Sequence, residues 1–341
     1  MRHVASNVLT LLIVAMLAVV LAIQEGQRAF EAPGPLAEAR IVTIERGDTM
    51  SQAAERLADA GVLPESAVWG LLDGAGLFRL GMRYTRQGAV VKAGEYRIPA
   101  RAALPEVLDL VTSGRSIQFP ITVPEGLSSW QVVELLKGND VLTGEIERVP
   151  EEGTLAPDTY LVERGTARAE VIRRMEVAQR RILAEAWDAR DDDLPIETAQ
   201  EALILASIIE KETGQSDERT IVASVFVNRL RRGMRLETDP TVIYGITRGE
   251  GSLGRGLRRS ELVQPTPWNT YRIPGLPPTP IANPGRAAIK AAVNPADSPY
   301  YFFVADGTGG HAFAETLTEH NANVAVWRRI EAARRAGQAT E

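Results

Sequence analysis

The sequence predicts an α+β protein: an N-terminal transmembrane helix, a small α+β module and a larger α+β domain. Three observations carry that reading: an apolar run at the N-terminus, short extended runs alternating with capped amphipathic helices after residue 40, and one later helical run that is apolar on every face. At 341 residues the chain exceeds one typical domain. Its composition, 45% hydrophobic and 24% charged with 29 Gly and 20 Pro, is ordinary globular usage and excludes a collagenous, coiled-coil or disordered chain. A net charge of -6 argues against a nucleic-acid partner, because phosphates are bound by clustered Lys and Arg. The absence of cysteine excludes disulfides, thiolate zinc sites and cysteine nucleophiles.

From Val8 to Ile23 every residue but Thr10 is apolar, and Val4 and Ala5 extend the run. About 20 residues at about 1.5 Å each cross a hydrocarbon core of about 30 Å. Residues 1–28 are therefore assigned to an anchor, with 4–23 in the membrane. Arg2 precedes the run, while Gln24, Glu25 and Gln27 follow it, so the positive-inside bias leaves the N-terminus in the cytoplasm and exports the rest. A cleaved signal peptide is the alternative, but no small-x-small site follows the run directly. Residues 29–39, with Pro33 and Pro35, read as a linker.

Residues 40–120 form the small module. Ile41 to Ile44 reads as a strand, Gly47-Asp48-Thr49 as a turn and helix cap, and Ala53, Ala54, Leu57 and Ala58 as a helix face that ends at Gly61. The unit recurs with Tyr96 to Ile98 followed by Leu104, Val107, Leu108, Val111 and Gly114. A structural spacer would satisfy the same pattern. The larger domain, 121–335, opens with Phe119 to Val123 running into a helix through Trp130, Val133 and Leu136, and a tail is assigned to 336–341. Val171, Ile172, Met175, Ile182, Leu183 and Ala186 line one face of a helix over 167–187. A capping box, Thr198 to Glu201, starts the next helix, in which Leu203, Ile204, Leu205, Ala206, Ile208 and Ile209 are apolar on every face, so it lies deep in its domain. Ser216 is read as the cap of the helix after it, which turns Ile221, Val222, Val225, Phe226 and Leu230 inward.

Glu210 follows directly on that apolar run. A carboxyl against apolar walls ionises reluctantly and can donate a proton near neutral pH, which is what a glycosidase general acid needs. The competing reading is a helix end emerging into water, with Glu210, Lys211 and Glu212 solvated. Glu212, Glu237 and Asp239 are the other carboxylates that could share a site. Other chemistries lack parts. The histidines are His3, His311 and His320, and the exported pair has no short metal-ligand spacing, so no metal is expected. There is no G-x-S-x-G elbow, Ser207 and Lys211 are one residue too far apart for S-x-x-K, and Gly251, Gly254 and Gly256 make neither G-x-G-x-x-G nor a P-loop. The Pro-rich segment 266–284 carries Trp268, Asn269, Thr270 and Tyr271, a composition that suits either a sugar-stacking groove or a braced connection.

Taken together, LASIIEKETG at 205–214, ASVFVNRLRRGMRLETDPTVIYG at 223–245, WNTYRIPGLPP at 268–278, ANPG at 282–285, EGTLAPDTY at 152–160 and GGHAF at 309–313 resemble the endolytic murein transglycosylase family, MltG or YceG-like, from about residue 40 to 335. The resemblance implies a bacterial inner-membrane anchor, a LysM-like module at 40–120 and a periplasmic catalytic domain. It implies non-hydrolytic cleavage of the MurNAc-β-1,4-GlcNAc bond within nascent peptidoglycan strands, leaving 1,6-anhydroMurNAc ends, with no cofactor and with peptidoglycan synthases as partners. It makes Glu210 catalytic, and places Asn228, Thr238, Asp239, Thr241, Tyr244, Asn269 and Tyr271 on motif positions as groove residues. A hydrolytic muramidase, with Asp239 as second carboxylate, and a glycan-binding scaffold without turnover are the alternatives. Thr279 departs from the family pattern, which usually has glycine there, so the shape of that loop is open.

Overall fold

The computed structural model describes residues 2–86 and 88–338. Met1, Gln87 and 339–341 lie outside the described residues, and with them the last half of the tail expected at 336–341. The fold is mixed α+β and divides into two compact units, Met1–Phe119 with Leu161–Arg164, and Pro120–Tyr160 with Gly165–Glu341.

In the first unit α1 (Arg2–Glu31) is long and apolar enough over Asn7–Glu31 to cross a membrane, and its side chains from Val8 to Ile23 are largely exposed. Its last turn is different in kind: Ala29 and Phe30 pack on the module's core. Residues 32–39 are irregular, yet Leu36 is buried, and Arg101 donates its N–H to the Leu36 carbonyl at 2.9 Å. Then come β1 (Arg40–Ile44), α2 (Met50–Asp59), α3 (Gly74–Thr85), β2 (Gly94–Ile98) and α4 (Leu104–Ser113). β1 and β2 are antiparallel, Arg40 opposite Ile98 and Ile44 opposite Gly94. Thr49 caps α2 in a reciprocal box with Gln52, covering two orphan donors. Gly114, at φ 76°, ends α4 in the left-handed conformation that glycine adopts without a Cβ penalty. Leu57, Phe78, Ile98 and Leu108 are fully buried between the helices and the ribbon. α3 is the element that the sequence reading missed. It opens on Gly-Ala-Gly, whose two glycines are poor helix formers, and exists because Asp73 accepts the Gly76 N–H at 2.6 Å and Leu77, Phe78 and Met82 are buried.

In the second unit α5 (Ser129–Lys137) starts at a capping box of Ser128 and Gln131. β3 (Phe119–Thr122) precedes it, and β4 (Leu142–Thr143), β5 (Thr159–Val162) and β6 (Thr166–Ala167) follow, with β3 paired to β5 and β4 parallel to β6. The helices α6 (Arg168–Asp188), α7 (Ala199–Glu212), α8 (Arg219–Arg231), α9 (Asp239–Thr247), α10 (Arg259–Val263) and α11 (Arg286–Val293) come next. A hairpin of β7 (Phe302–Ala305) and β8 (His311–Ala314) and the long α12 (Leu317–Gln338) close the chain. α7 is the axis of this unit. Every residue from Ala202 to Ile209 is buried, enclosed by α6, α8 and α11, as its all-round apolarity predicts. The Thr198–Glu201 box is present, with the Glu201 N–H donating to Thr198 Oγ1 at 3.2 Å. One expectation is corrected: Ser216 does not cap α8. The N-cap residue is Glu218, whose carboxylate instead accepts the backbone N–H of His311 at 2.8 Å and lies 2.7 Å from its Nδ1.

Candidate active site

Glu210 stands at the end of the buried stretch of α7 and is itself half-buried. Its Oε2 accepts the backbone N–H of Gly285 at 3.0 Å. Gly285 is the N-cap residue of α11, so the carboxyl meets the end of a helix whose first N–H groups lack internal partners. The Glu125 carboxylate, on an exposed side chain, lies against the same glycine, in the space that a Cβ on residue 285 would take. Two carboxyl groups thus press on one glycine. Burial pushes the Glu210 pKa up and the charge of Glu125 adds to the rise, while the Gly285 N–H, Arg219 and Lys211 oppose it; the net shift is upward. With Oε2 accepting the Gly285 N–H, Oε1 is the oxygen left to carry and deliver a proton.

Three segments distant in sequence hold this arrangement, and Asn283 ties them together. Its side chain is fully buried; Nδ2 donates to the Leu127 carbonyl at 3.0 Å and to Ser129 Oγ at 3.2 Å, and Oδ1 accepts the Leu155 N–H at 2.9 Å. Its backbone carbonyl accepts the Gly126 N–H at 3.0 Å. Gly126, at φ 76°, makes the turn that brings Glu125 in, and Lys211 Nζ donates to its carbonyl at 3.1 Å. Beside Gly126 a cleft of about 370 Å³ opens, lined by Ser128, Lys211, Tyr244, the loop Gly249–Arg255 and Ile281. Next to Gly249 of that loop, Glu152 accepts the Ser129 N–H at 2.7 Å; burial raises its pKa, and Tyr244, bonded to Glu152, is raised in turn, mainly by burial.

The other residues singled out from the sequence fall into a second cluster. Glu212 accepts from Thr238 Oγ1; its pKa is raised by burial and by the charge of Asp239. Tyr271 donates its hydroxyl to Asp239 at 2.8 Å. Thr241 is fully buried and bonds the Thr238 carbonyl at 2.7 Å and Thr270 at 2.8 Å. Asn269, also fully buried, uses its amide on the carbonyls of Glu261, Leu262 and Gln264 and accepts the Tyr271 N–H at 3.0 Å. Asn228 donates to the carbonyls of Ser298 at 2.8 Å and Tyr300 at 3.1 Å. Of the seven groove residues expected from the sequence, only Tyr244 lines the cleft described above. Glu237 pairs with Arg229 at 3.5 Å. Ser207 is buried and bonds the Ile204 carbonyl and the Ile281 N–H.

The model of the YceG-like family matches residues 42–326, most of the chain. The chain belongs to the YceG-like family. Two relatives carry the name endolytic murein transglycosylase: that of Bacillus subtilis is 30% identical over 262 residues, covering 67% of this chain and 71% of that protein, and that of Streptococcus pneumoniae is 33% identical over 181 residues, covering 51% and 32%. The chain therefore spans about a third of the pneumococcal protein's length. A solved yceG-like protein of Listeria monocytogenes is 29% identical, with a TM-score of 0.49 over 84% of this chain and 99% of that one.

In this YceG-like chain, Glu125, Glu152, Asn283 and Gly285 are the site residues that residue-by-residue reading missed. Three of them lie inside runs that stood out in the sequence, EGTLAPDTY and ANPG. The signal for Glu125 is the Pro-Glu-Gly turn before α5. Thr279 is accommodated without left-handed backbone: its hydroxyl accepts the Trp268 indole N–H at 2.9 Å, a bond glycine cannot make.

Proposed function

We propose that this protein is an endolytic peptidoglycan lytic transglycosylase, with Glu210 as its acid and base. The observation that carries the proposal is the Glu210 carboxyl itself: its pKa is raised, the Gly285 N–H orients it, and its side chain lies beside Gly126, which lines the open cleft. The names of the Bacillus and Streptococcus relatives support it. In the proposed reaction Oε1 of Glu210 gives its proton to the glycosidic oxygen of a MurNAc-β-1,4-GlcNAc linkage as the bond to C1 of MurNAc breaks, with positive charge developing at C1. GlcNAc departs with a free 4-hydroxyl. The carboxylate then takes the proton of the C6 hydroxyl of MurNAc while that oxygen bonds to C1, closing a 1,6-anhydro ring and restoring the acid. One carboxyl serves both steps, and a raised pKa suits the first. Glu125 helps keep Glu210 protonated, Lys211 and Tyr244 line the glycan path, and Asp239 and Tyr271, at the rim of the second cluster, are candidate outer contacts.

The remaining assignments belong to the same proposal. α1 anchors the protein in the bacterial inner membrane with the chain after it on the periplasmic side, supported by its length, apolarity and flanking charges. The order β1-α2-α3-β2 with an antiparallel strand pair supports a LysM-like reading of the module. Nascent strands beside peptidoglycan synthases are the expected substrate, in cell-wall assembly. The test is digestion of purified peptidoglycan by the full chain in detergent, beside Glu210→Gln, with products identified by mass spectrometry. Internal fragments ending in 1,6-anhydroMurNAc, absent with the variant, are expected. Reducing ends would instead indicate hydrolysis and point to Asp239; binding without cleavage would leave a scaffold.

A further inference from the structure

The module presents an apolar surface beside α1 that a water-facing domain has no reason to keep. Residues 67–72 form a tight turn, closed by the Ala67 N–H to the Leu72 carbonyl at 2.7 Å and the Leu72 N–H to the Ala67 carbonyl at 3.2 Å. Val68 and Trp69 have φ of 51° and 56°, the left-handed region, which is costly for a β-branched or bulky residue. The turn is thus held in a strained shape, and it projects apolar side chains outward: Trp69 is 62% and Leu71 80% exposed. On α3, Tyr84 is 70% exposed and Leu80 41%.

The place of these residues along α1 gives the surface a meaning. A Cβ on Gly26 would rest against Val68 at 3.6 Å, so the turn sits just past Ile23, where the apolar run of α1 ends. Leu80 and Tyr84 share an apolar groove of about 700 Å³ with Val19, Ala22 and Ile23. Val19 is four residues inside the run, a depth of about 6 Å at the helical rise. If α1 spans a bilayer, these side chains stand at the level of its headgroups and first methylenes, where Trp and Tyr rings, apolar in body and polar at the tip, are favoured.

We infer that Trp69, Leu71, Leu80 and Tyr84 seat the module in the interface of the same bilayer that α1 crosses, with lipid filling the groove between α1 and α3. The occupant is lipid because the surface is continuous with the exposed apolar face of α1 at matching depth. The module is then held at the membrane surface and does not swing out on a tether. The inference rests on the anchor reading of α1.

The chain has no cysteine, so single-cysteine variants report without background. The full chain, in vesicles of phosphatidylethanolamine and phosphatidylglycerol carrying a headgroup nitroxide lipid, is labelled with an environment-sensitive dye at Ile23→Cys, Leu71→Cys, Tyr84→Cys or the exposed sheet position Arg97→Cys. Quenching at 23, 71 and 84 several-fold stronger than at 97 is expected, and a Trp69→Ser/Leu71→Ser background should weaken it at 84 while leaving 23 unchanged. Quenching at 23 alone would leave the anchor standing and overturn the seated module, as would equal quenching at all four positions or no change at 84 in the serine background. No quenching at 23 would remove the anchor reading, and this inference with it.

Discussion

Glu210 and Glu212 stand two residues apart on α7, a step of about 200° around the helix axis, so they look into different surroundings. Both are pushed above the ordinary carboxylate pKa chiefly by burial. Glu210 meets one backbone N–H and an adjoining cleft, and the nearest charge that raises it further is another carboxylate, Glu125. Glu212 is bonded by Thr238, with His311 and Arg229 as favourable charges, in a cluster that also binds the start of α9 to the 269–271 segment. The difference teaches that a raised pKa does not by itself make an acid catalyst. What separates the two is position: the Glu210 side chain lies beside Gly126, which lines the cleft, whereas that of Glu212 is bound into the Thr238 cluster.

The comparison is broken most forcefully at Glu210. Glu210→Gln is expected to lower kcat by about 10²–10⁴-fold with the fold retained, as circular dichroism checks, because an amide can accept the Gly285 N–H but cannot donate an acidic proton. Gly285→Ala comes next. Its methyl displaces the exposed Glu125 carboxylate, whose charge then no longer raises the Glu210 pKa, so a loss in kcat smaller than that of Glu210→Gln is expected, with the basic limb of the pH profile moved to lower pH. For Glu212 the expected effect is on stability: Glu212→Ala strands the Thr238 hydroxyl and should cost about 1–3 kcal/mol in denaturant unfolding, while Glu212→Gln, which can still accept, keeps most of the activity. The smallest effect is at Thr279, where Thr279→Gly removes the acceptor for Trp268 and should cost about 1 kcal/mol.

A pH experiment sharpens the same contrast. Since the folded Glu210 pKa lies above its ordinary value of 4.5, ionisation is costlier in the fold than in the unfolded chain. Its stabilising contribution is complete below that ordinary value and is lost as pH rises through the folded one. Glu210→Gln is therefore expected to melt at a higher temperature than the wild type at neutral pH, with the gap closing in acid, as calorimetry at several pH values would read.

How far the sequence disclosed this follows from the range of the interactions. α7 and its box were legible because a run of Leu and Ile and the spacing of Thr198 and Glu201 are local patterns. The strands of the module were legible for the same reason, whereas α3 depends on burial more than on propensity. The Ser216 cap failed because Glu218 is engaged by His311, 93 residues further on. Glu210 was legible as a carboxyl after an apolar run, but its orienting donor is 75 residues away and Asn283 reaches Leu127 across 156, distances over which no periodicity speaks. Asn269 and Thr241 show the converse. Their residue types suit sugar hydroxyls, yet the fold uses both internally.

The central claim, that Glu210 is held protonated as the acid of this site, is tested most directly by a ¹³C-carboxylate NMR titration of glutamate-labelled wild type beside Glu210→Gln. The account predicts a resonance missing from the variant whose midpoint lies clearly above the ordinary glutamate value. A midpoint for that resonance at or below the ordinary value would contradict it.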